Sequence, residues 1–301
     1  MVDGPALTPE RVLRRLEWRV IRRLDGRLQG DYRTVFRGTG VDVVDLREYQ
    51  PGDDLRHIDW NVTARTDVPH VREYVEDREV TAWLLLDLSP SMGFGPVERR
   101  KHVVLTEVAA TVAQLLARGG NRVGAVLFDS EVERVIPPGH GRNQVLRILR
   151  HLLADPRTAK KEASRSTDLG KPLRAALGIV RRRSLVVVVS DFITEPGWQR
   201  PLALLARRNE VVAIQVVDRR EFELPAVGMI YVEDPETGEQ IFVDTDDRAF
   251  QQRLRAAADE RAAALLEGAR AAGTDLFTVA TDEDLVRALA RISQLRRRRR
   301  R

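Results

Sequence analysis

From about residue 80 to residue 295, short apolar runs alternate with longer amphipathic stretches. Runs such as Leu84–Leu86 and the "LVVVV" of 185–189 are too short for helices and show no polar alternation, which is typical of strands buried on both faces. The stretches between them repeat apolar residues at helical spacing. The pattern predicts an α/β fold with a doubly wound, mostly parallel sheet that is covered by helices on both faces.

The individual elements follow from the same pattern. Strands are expected in "TAWLLLD", "SLVVVVSDF", "EVVAIQVVD" and "DLFTVA". Helices are expected over 96–118, 142–154, 169–181, 198–207, 247–272 and 283–295. Pro96 suits the first turn of the first of these helices, and Gly119-Gly120 closes it. The stretch "RVGAVLFDSEVERVIPP" predicts one antiparallel hairpin with a turn at Asp129-Ser130, and a smaller polar hairpin is expected near 228–244.

The N-terminal part of the chain has a different character. Residues 8–25 predict an amphipathic helix, whereas 26–79 is rich in turn residues with short β-type pieces such as Asp42–Leu46. We therefore expect a small N-terminal appendage over residues 1–79, one α/β domain over 80–295 and a disordered arginine tail over 296–301. The appendage carries few apolar residues for its length and is not expected to fold alone.

Oxygen-bearing side chains lie at the ends of two predicted strands and just before one predicted helix. Asp87, Ser89 and Ser91 follow the first strand, Thr167 lies in a loop before a helix, and Asp191 ends the strand "VVVVSD". Binding sites of open α/β sheets form at the carboxyl ends of the strands, so these five side chains are expected to converge. Each serine could instead be only a turn or capping residue.

An all-oxygen set of two carboxylates and three hydroxyls suits a hard divalent cation such as Mg²⁺ or Mn²⁺. The two carboxylates only balance the charge of the dication, and hydroxyls add no charge. The ion would therefore remain electrophilic, and a carboxylate from another molecule is the natural further ligand. We expect the site to lie at the protein surface.

These residues resemble a known arrangement. Asp87-x-Ser89-x-Ser91, Thr167 and Asp191, in that order, are similar to the metal-ion-dependent adhesion site of von Willebrand factor A domains, whose strand and helix order resembles residues 80–295. One departure is that Arg165 and Ser166 precede Thr167 where many A domains have glycines. The resemblance implies metal-dependent protein binding without catalysis, with an Asp or Glu of the partner reaching the metal.

A second resemblance covers the preceding segment. The stretch "REYQPGDDLRHIDWNVTARTDVPHVREYVEDRE" is similar to the signature of the bacterial domain-of-unknown-function-fifty-eight (DUF58) family. Members are commonly encoded beside MoxR-type AAA+ ATPases, which implies that such an ATPase or its client is the partner. The same stretch contains Asp53, Asp54 and Asp59 among Arg47, Arg56 and Arg65, for which we expect an internal ion-pair network, and Trp60, which we expect in the core.

An enzyme is the main alternative. Haloacid-dehalogenase-type phosphatases and phosphotransferases also place an Asp at the end of the first strand, but they follow it with a second acid two residues later. That position is Ser89 here, and a serine cannot act as a general acid or base at neutral pH. No Walker-type phosphate loop is present, so a protein without enzymatic activity is favoured.

Charge raises a third hypothesis, namely binding to nucleic acid or to an anionic surface. The net charge is +5, but the chain ends in six consecutive arginines, and without them the balance is −1. The favoured interpretation is therefore a solvated tail with no specific nucleic-acid binding; weak contact with an anionic membrane is the alternative.

The absence of cysteine excludes disulfides and thiolate metal sites. The N-terminal stretch lacks the apolar core of a signal peptide, so we expect a cytoplasmic protein.

Overall fold

Strands and helices alternate in the computed structural model, which describes residues 8–24, 45–55, 58–73, 80–96, 99–154, 167–233 and 240–300. In chain order the elements are α1 (Pro9–Leu16), β1 (Asp45–Glu48), α2 (Trp60–Thr66), β2 (His70–Glu73), β3 (Thr81–Asp87), α3 (Lys101–Arg118), β4 (Arg122–Phe128), β5 (Val132–Gly139), α4 (Gly141–Leu153), α5 (Gly170–Ile179), β6 (Leu185–Ser190), α6 (Gln199–Arg208), β7 (Glu210–Val217), β8 (Met229–Glu233), β9 (Gln240–Asp244), α7 (Arg248–Ala271), β10 (Asp275–Ala280) and α8 (Leu285–Arg300). A π-helical turn, Glu17–Ile21, continues α1.

Six strands form the central sheet in the order β10-β7-β6-β3-β4-β5. All neighbours in this sheet are parallel except β5, which pairs antiparallel with β4. The pairs β1–β2 and β8–β9 form two separate antiparallel sheets. The predicted α/β class, with a doubly wound, mostly parallel sheet and one antiparallel hairpin strand, is confirmed.

The central strand β3 shows why its sequence has no polar alternation. Ala82, Leu84 and Leu86 pack in a core with α1, α3, α4 and α8, whereas Trp83 and Leu85 pack in a second core with α5, α6 and α7. Successive side chains of a strand point to opposite faces, so each face of β3 meets its own layer of helices. Both faces are therefore apolar, as expected for a parallel sheet inside a three-layer fold.

The N-terminal helix is part of the first of these cores. Leu13 and Ile21 are completely buried, and both belong to the cluster that also contains the side chains of α3 and β3. The predicted helix over 8–25 is therefore present, with its last part wound as a π-helical turn. The division at residues 79 and 80 remains a prediction. The expected β-type piece Asp42–Leu46 falls partly outside the described residues, and β1 begins at Asp45.

The helix that follows β3 begins later than predicted. The expected start at Pro96 is wrong, because the backbone N–H of Lys101 donates to the carbonyl of Phe94 and α3 begins only at Lys101. Gly95 adopts a left-handed conformation, with φ of 119°, and a Cβ at this position would lie 3.1 Å from the Asp218 carboxylate. Within the described residues, 94–96 and 99–100 are therefore not helical.

The arginine tail differs from its expected disorder. Helix α8 continues to Arg300, since arginine is a good helix former. Arg296 is only 4% exposed and pairs with Glu210. The first arginine of the predicted tail, 296–301, is therefore held by the sheet. Among the described residues, no helix is both long enough and apolar enough to cross a membrane.

The segment before β2 contains Trp60, which was expected in the core, and part of the expected ion-pair network. Trp60 was expected in the core but is 69% exposed, because the buried residue at the start of α2 is Asp59, whose carboxylate accepts from the backbone N–H groups of Asn61 and Val62. Part of the expected ion-pair network is present: Arg47 binds both carboxylate oxygens of Asp53 at 2.7 Å. Arg56 lies outside the described residues.

We predict that Asp53 titrates well below an ordinary aspartate. The hydrogen bonds from the Arg47 guanidinium and from the backbone N–H of Gln50 lower the pKa of Asp53 to about 2. A lowered pKa means that the ionised form favours the folded state, so this contribution is present above about pH 4 and is lost as the pH falls towards 2. Carboxyl chemical shifts measured by NMR should show this midpoint, and Arg47→Gln should move it upwards; an unchanged midpoint in that variant would contradict the assignment.

We also predict that the N-terminal helix stabilises the whole α/β domain. Replacing the fully buried Ile21 by Ala should cost about 2–5 kcal/mol of unfolding free energy, measured in urea, because it leaves a cavity in the shared core. Trp18→Ala is the matched control on the same turn, since Trp18 is 66% exposed and its ring stacks on Arg22; it should cost less than about 1 kcal/mol. Biphasic unfolding in which only one phase shifts would contradict a shared core.

Candidate metal centre

Two carboxylates meet where β3 and β6 end. The strands are parallel neighbours, and Leu86 lies opposite Val189 in their register. The next residues, Asp87 and Ser190, are therefore adjacent, and the hydroxyl of Ser190 donates to Asp87 Oδ2. Asp191 follows immediately. The sheet thus brings together the two acids that were predicted to share a site.

The turn after β3 holds the two serines beside Asp87. Asp87 Oδ1 accepts from the backbone N–H of Ser89 at 2.9 Å, and Ser89 Oγ lies 3.1 Å from Ser91 Oγ. A short 3₁₀ turn, Pro90–Gly93, follows, so the two hydroxyls stay on the same side of the chain. The alternate spacing of the motif thus places its carboxylate and its hydroxyls in one cluster.

Thr167 reaches the same edge through a connection between two loops. Its carbonyl accepts from the Thr194 hydroxyl at 2.8 Å and from the Glu195 backbone N–H at 2.9 Å. The Thr194 hydroxyl in turn accepts from the N–H of Leu169 at 2.8 Å. These bonds fix the residue before α5 to the segment that follows Asp191. Arg165 and Ser166, which precede Thr167, lie outside the described residues.

The expectation of a surface site is wrong. Asp87, Ser89, Ser91, Thr167 and Asp191 are all buried, with at most 3% of each residue exposed. The residue after Asp191, Phe192, is also buried: it is only 8% exposed, and its ring packs edge-on against Trp198. Phe192 has a φ of 59°, a left-handed conformation that costs a bulky residue roughly 1–3 kcal/mol and is maintained by its surroundings.

A buried lysine, which the sequence pattern did not reveal, completes the cluster. Lys101 is 0% exposed, and its Nζ donates to Asp191 Oδ2 at 2.7 Å and to Glu221 Oε1. The other oxygen of Asp191 accepts from the backbone N–H of Ile193 at 3.0 Å. Glu221 is itself held, because its Oε2 accepts from the backbone N–H of Asp218 at 3.1 Å. Asp191 therefore has a built-in cation as its partner.

The electrostatic environment of Asp87 is different. Among the described residues, the hydrogen bonds to its carboxylate come from neutral groups, the Ser190 hydroxyl and the Ser89 N–H. Burial and the nearby charge of Asp191 raise the pKa of Asp87 to about 7. Burial alone would lower the pKa of Lys101, but the charges of Asp191 and Glu221 outweigh burial and raise it. Within the described part of the chain, the cluster therefore contains one carboxylate that is neutralised by a lysine and one that has no cationic partner.

The chemistry of these donors fits a hard divalent cation. The predicted set consists only of oxygens, and a cation next to Asp87 would relieve the repulsion that raises its pKa. Among the described residues there is no group of three or more His, Cys, Asp or Glu side chains that could hold a metal. A metal here would therefore depend on the hydroxyls as well as on the two carboxylates.

Three further residues of the site were missed by sequence reasoning. Ser190 could have been found, since it occupies the strand position next to Asp191. Lys101 carried a compositional signal, because the chain has 46 arginines but only four lysines, and one of these four follows the D-x-S-x-S motif. Glu221 gave no signal, because only the fold brings it to a lysine 120 positions earlier in the chain.

The mostly parallel six-stranded sheet, with helices on both faces and a cluster of acids and hydroxyls at its carboxyl edge, defines a doubly wound α/β protein. The chain belongs to the family described as "Protein of unknown function DUF58", which its residues 45–264 match. An uncharacterized protein of Mycobacterium tuberculosis is 37% identical over 297 residues, which is 99% of this chain and 92% of that protein.

The chain is also distantly similar to solved structures, including the following two. The conserved hypothetical protein BatB from Bacteroides thetaiotaomicron is 16% identical, with a TM-score of 0.46 over 73% of this chain and 98% of that chain. A von Willebrand factor type A protein from Catenulispora acidiphila is 11% identical, with a TM-score of 0.38 over 76% of this chain and 43% of that chain.

Proposed function

We propose that this protein is a metal-dependent protein-interaction module that binds a carboxylate of its partner at the strand-end cluster. The observation that carries the proposal is the pair of buried acids, Asp87 and Asp191, of which only Asp191 has a cationic partner in the described structure. A buried carboxylate without a cation is costly, and a bound dication would remove that cost.

The cation that fits this set is Mg²⁺ or Mn²⁺. Ser89, Ser91 and Thr167 would hold it through their hydroxyls, and Asp87 and Asp191 would do so directly or through water. When bound, the ion would supply a positive centre that the carboxylate of a partner can ligate. The Lys101–Glu221 pair adds one charge of each sign, so the two acids still only balance the dication.

A partner carboxylate gains most at such a site if water is excluded, since a charge–charge interaction weakens strongly in high dielectric. The five side chains are at most 3% exposed, so the partner can reach the ion only if the turns over it move. We therefore expect partner binding to involve a movement of the segments that carry Ser91 or Thr167.

The proposed partner is a MoxR-type AAA+ ATPase or a client of that ATPase, and it rests on the family resemblance. The proposal includes a cytoplasmic location and the absence of catalysis. An enzyme of the haloacid-dehalogenase type is the alternative; the serine at position 89, where those enzymes carry a second acid, argues against it. Binding to nucleic acid through the arginine tail is further weakened, because Arg296 pairs with Glu210.

The metal site can be tested directly. We expect wild-type protein to bind one Mn²⁺ or Mg²⁺ weakly in isothermal titration, and Asp87→Asn to abolish this binding, because the variant removes a negative charge from the cluster without changing its shape. Excess metal should also raise the melting temperature of the wild type; saturation at 100 times Kd corresponds to about 2.7 kcal/mol. Asp244→Asn, at the end of β9, is the control. Equal heats from wild type and Asp87→Asn would refute the site.

The interaction can be tested separately. Pull-downs from lysate of the source organism should retain the partner in the presence of Mg²⁺ and lose it in EDTA or with Ser89→Ala, because both treatments remove the positive centre that the partner carboxylate needs. Purified MoxR-type ATPase, with and without substitution of its exposed acids, then identifies the carboxylate. If partners are retained equally in all these conditions, recognition lies elsewhere, and the acidic turn of Asp53 and Asp54 becomes the next candidate.

A further inference from the structure

Lys101 occupies an unusual position for a lysine. It is the first residue of α3, where lysine side chains normally extend into solvent, and it is 0% exposed. A positive charge at the N-terminus of a helix is also unfavourable, because the helix dipole is positive at that end. The ammonium is stabilised there by two carboxylates, from Asp191 and from Glu221.

The ammonium touches the candidate metal centre but does not replace its cation. It binds Asp191, whereas Asp87 receives only neutral donors among the described residues. The three carboxylates and the single ammonium leave a net charge of −2 when all four groups are ionised. Without the ammonium the net charge would be −3, and without the carboxylate of Glu221 it would be −1.

We propose that the ion pair of Lys101 and Glu221 sets the affinity of the candidate metal centre by fixing its net charge. The ammonium repels a dication next to Asp191 and weakens its binding, and Glu221 limits that effect. Without Glu221 the ammonium would weaken metal binding, and without Lys101 the carboxylate of Glu221 would strengthen it. Together the two charges keep the affinity between these limits, while Lys101 holds Asp191 in a defined orientation. This inference rests on the proposed metal-binding function.

The chemistry of lysine suits this role better than that of arginine, which the chain uses almost everywhere else. The chain has 46 arginines and four lysines. An ammonium is a compact point charge that can bond two carboxylates from a small space, whereas a guanidinium is a wide planar fork. A fully enclosed position between Asp191 and Glu221 therefore favours lysine.

The test uses three variants of the full-length chain: Lys101→Met, Glu221→Gln, and the double variant that carries both. Mn²⁺ affinity is measured by isothermal titration and by the loss of the free Mn²⁺ signal in electron paramagnetic resonance. We expect binding about 10- to 100-fold tighter in Lys101→Met and about 10- to 100-fold weaker in Glu221→Gln, as for other changes next to metal ligands. The double variant restores the net charge and should stay within about threefold of wild type.

Stability gives a second readout. Lys101→Met leaves the buried Asp191 and the partly exposed Glu221 without their cation, so this variant should melt at a lower temperature than wild type in the absence of metal. Added Mn²⁺ should raise its melting temperature more than it raises that of the wild type. If Lys101→Met does not fold, the comparison of Glu221→Gln and the double variant with wild type still decides the question.

The control is an ion pair at the opposite edge of the sheet. Arg142 Nη1 lies 2.6 Å from Glu17 Oε1, near the start of α4. The residue that ends β5, Gly139, pairs with Val123 at the beginning of β4, so this pair is near the amino end of β4, whereas the candidate metal centre lies at the carboxyl ends of the parallel strands. Arg142→Met and Glu17→Gln should leave Mn²⁺ affinity unchanged. A change in these variants equal to that at Lys101 and Glu221 would overturn the inference.

The remaining outcomes separate this inference from the proposed function. Equal Mn²⁺ affinity in wild type and in all three variants would mean that the pair is only structural, and would overturn the inference. Loss of binding in both Lys101→Met and the double variant would make Lys101 an anchor for Asp191 rather than a charge regulator, and would also overturn it. Absence of Mn²⁺ binding in wild type would overturn the proposed metal site and this inference together.

Discussion

The parallel pairing of β3 with β6 is the constraint on which the site depends. Both strands lie in the middle of the sheet, and their side chains are buried on both faces, so neither strand can shift its register without exposing apolar residues. The register that places Leu86 opposite Val189 also places Asp87 beside Ser190. The position of the two acids is therefore a consequence of the hydrophobic core, and it needs no interaction between the acids themselves.

The two carboxylates, Asp87 and Asp191, repel each other when both are ionised. The groups around them stabilise the charge of Asp191 more than that of Asp87. Each carboxylate accepts a backbone N–H from two residues further along the chain, Asp87 from Ser89 and Asp191 from Ile193. Asp191 also has the ammonium of Lys101. Removing one partner of such a buried pair typically costs about 3–5 kcal/mol, so Lys101 contributes to the stability of the folded protein as well as to the charge of the cluster.

The sequence was sufficient for the features that depend on local pattern. The continuous apolar runs predicted buried parallel strands, and the acids and hydroxyls at their ends predicted the cluster that the fold assembles. The features that it could not predict depend on contacts between distant residues. Lys101 meets Asp191 across 90 positions, and Arg296 meets Glu210 across 86. The late start of α3 and the burial of the site depend on such contacts. The periodicity of apolar residues describes one segment at a time and cannot reveal them.

The different partners of Asp87 and Asp191 affect how strongly the cluster can bind a cation. If both carboxylates had built-in cations, the cluster would be a closed structural network with no need of a ligand. If neither had one, the repulsion would make the site bind a dication tightly or protonate. With Asp191 neutralised by Lys101 and Asp87 bonded only to neutral groups among the described residues, the structure supports an intermediate case. At the proposed metal site a cation would be favoured at Asp87, and the nearby ammonium would limit how strongly it is held. Such a balance suits a site whose metal must still accept a carboxylate from outside.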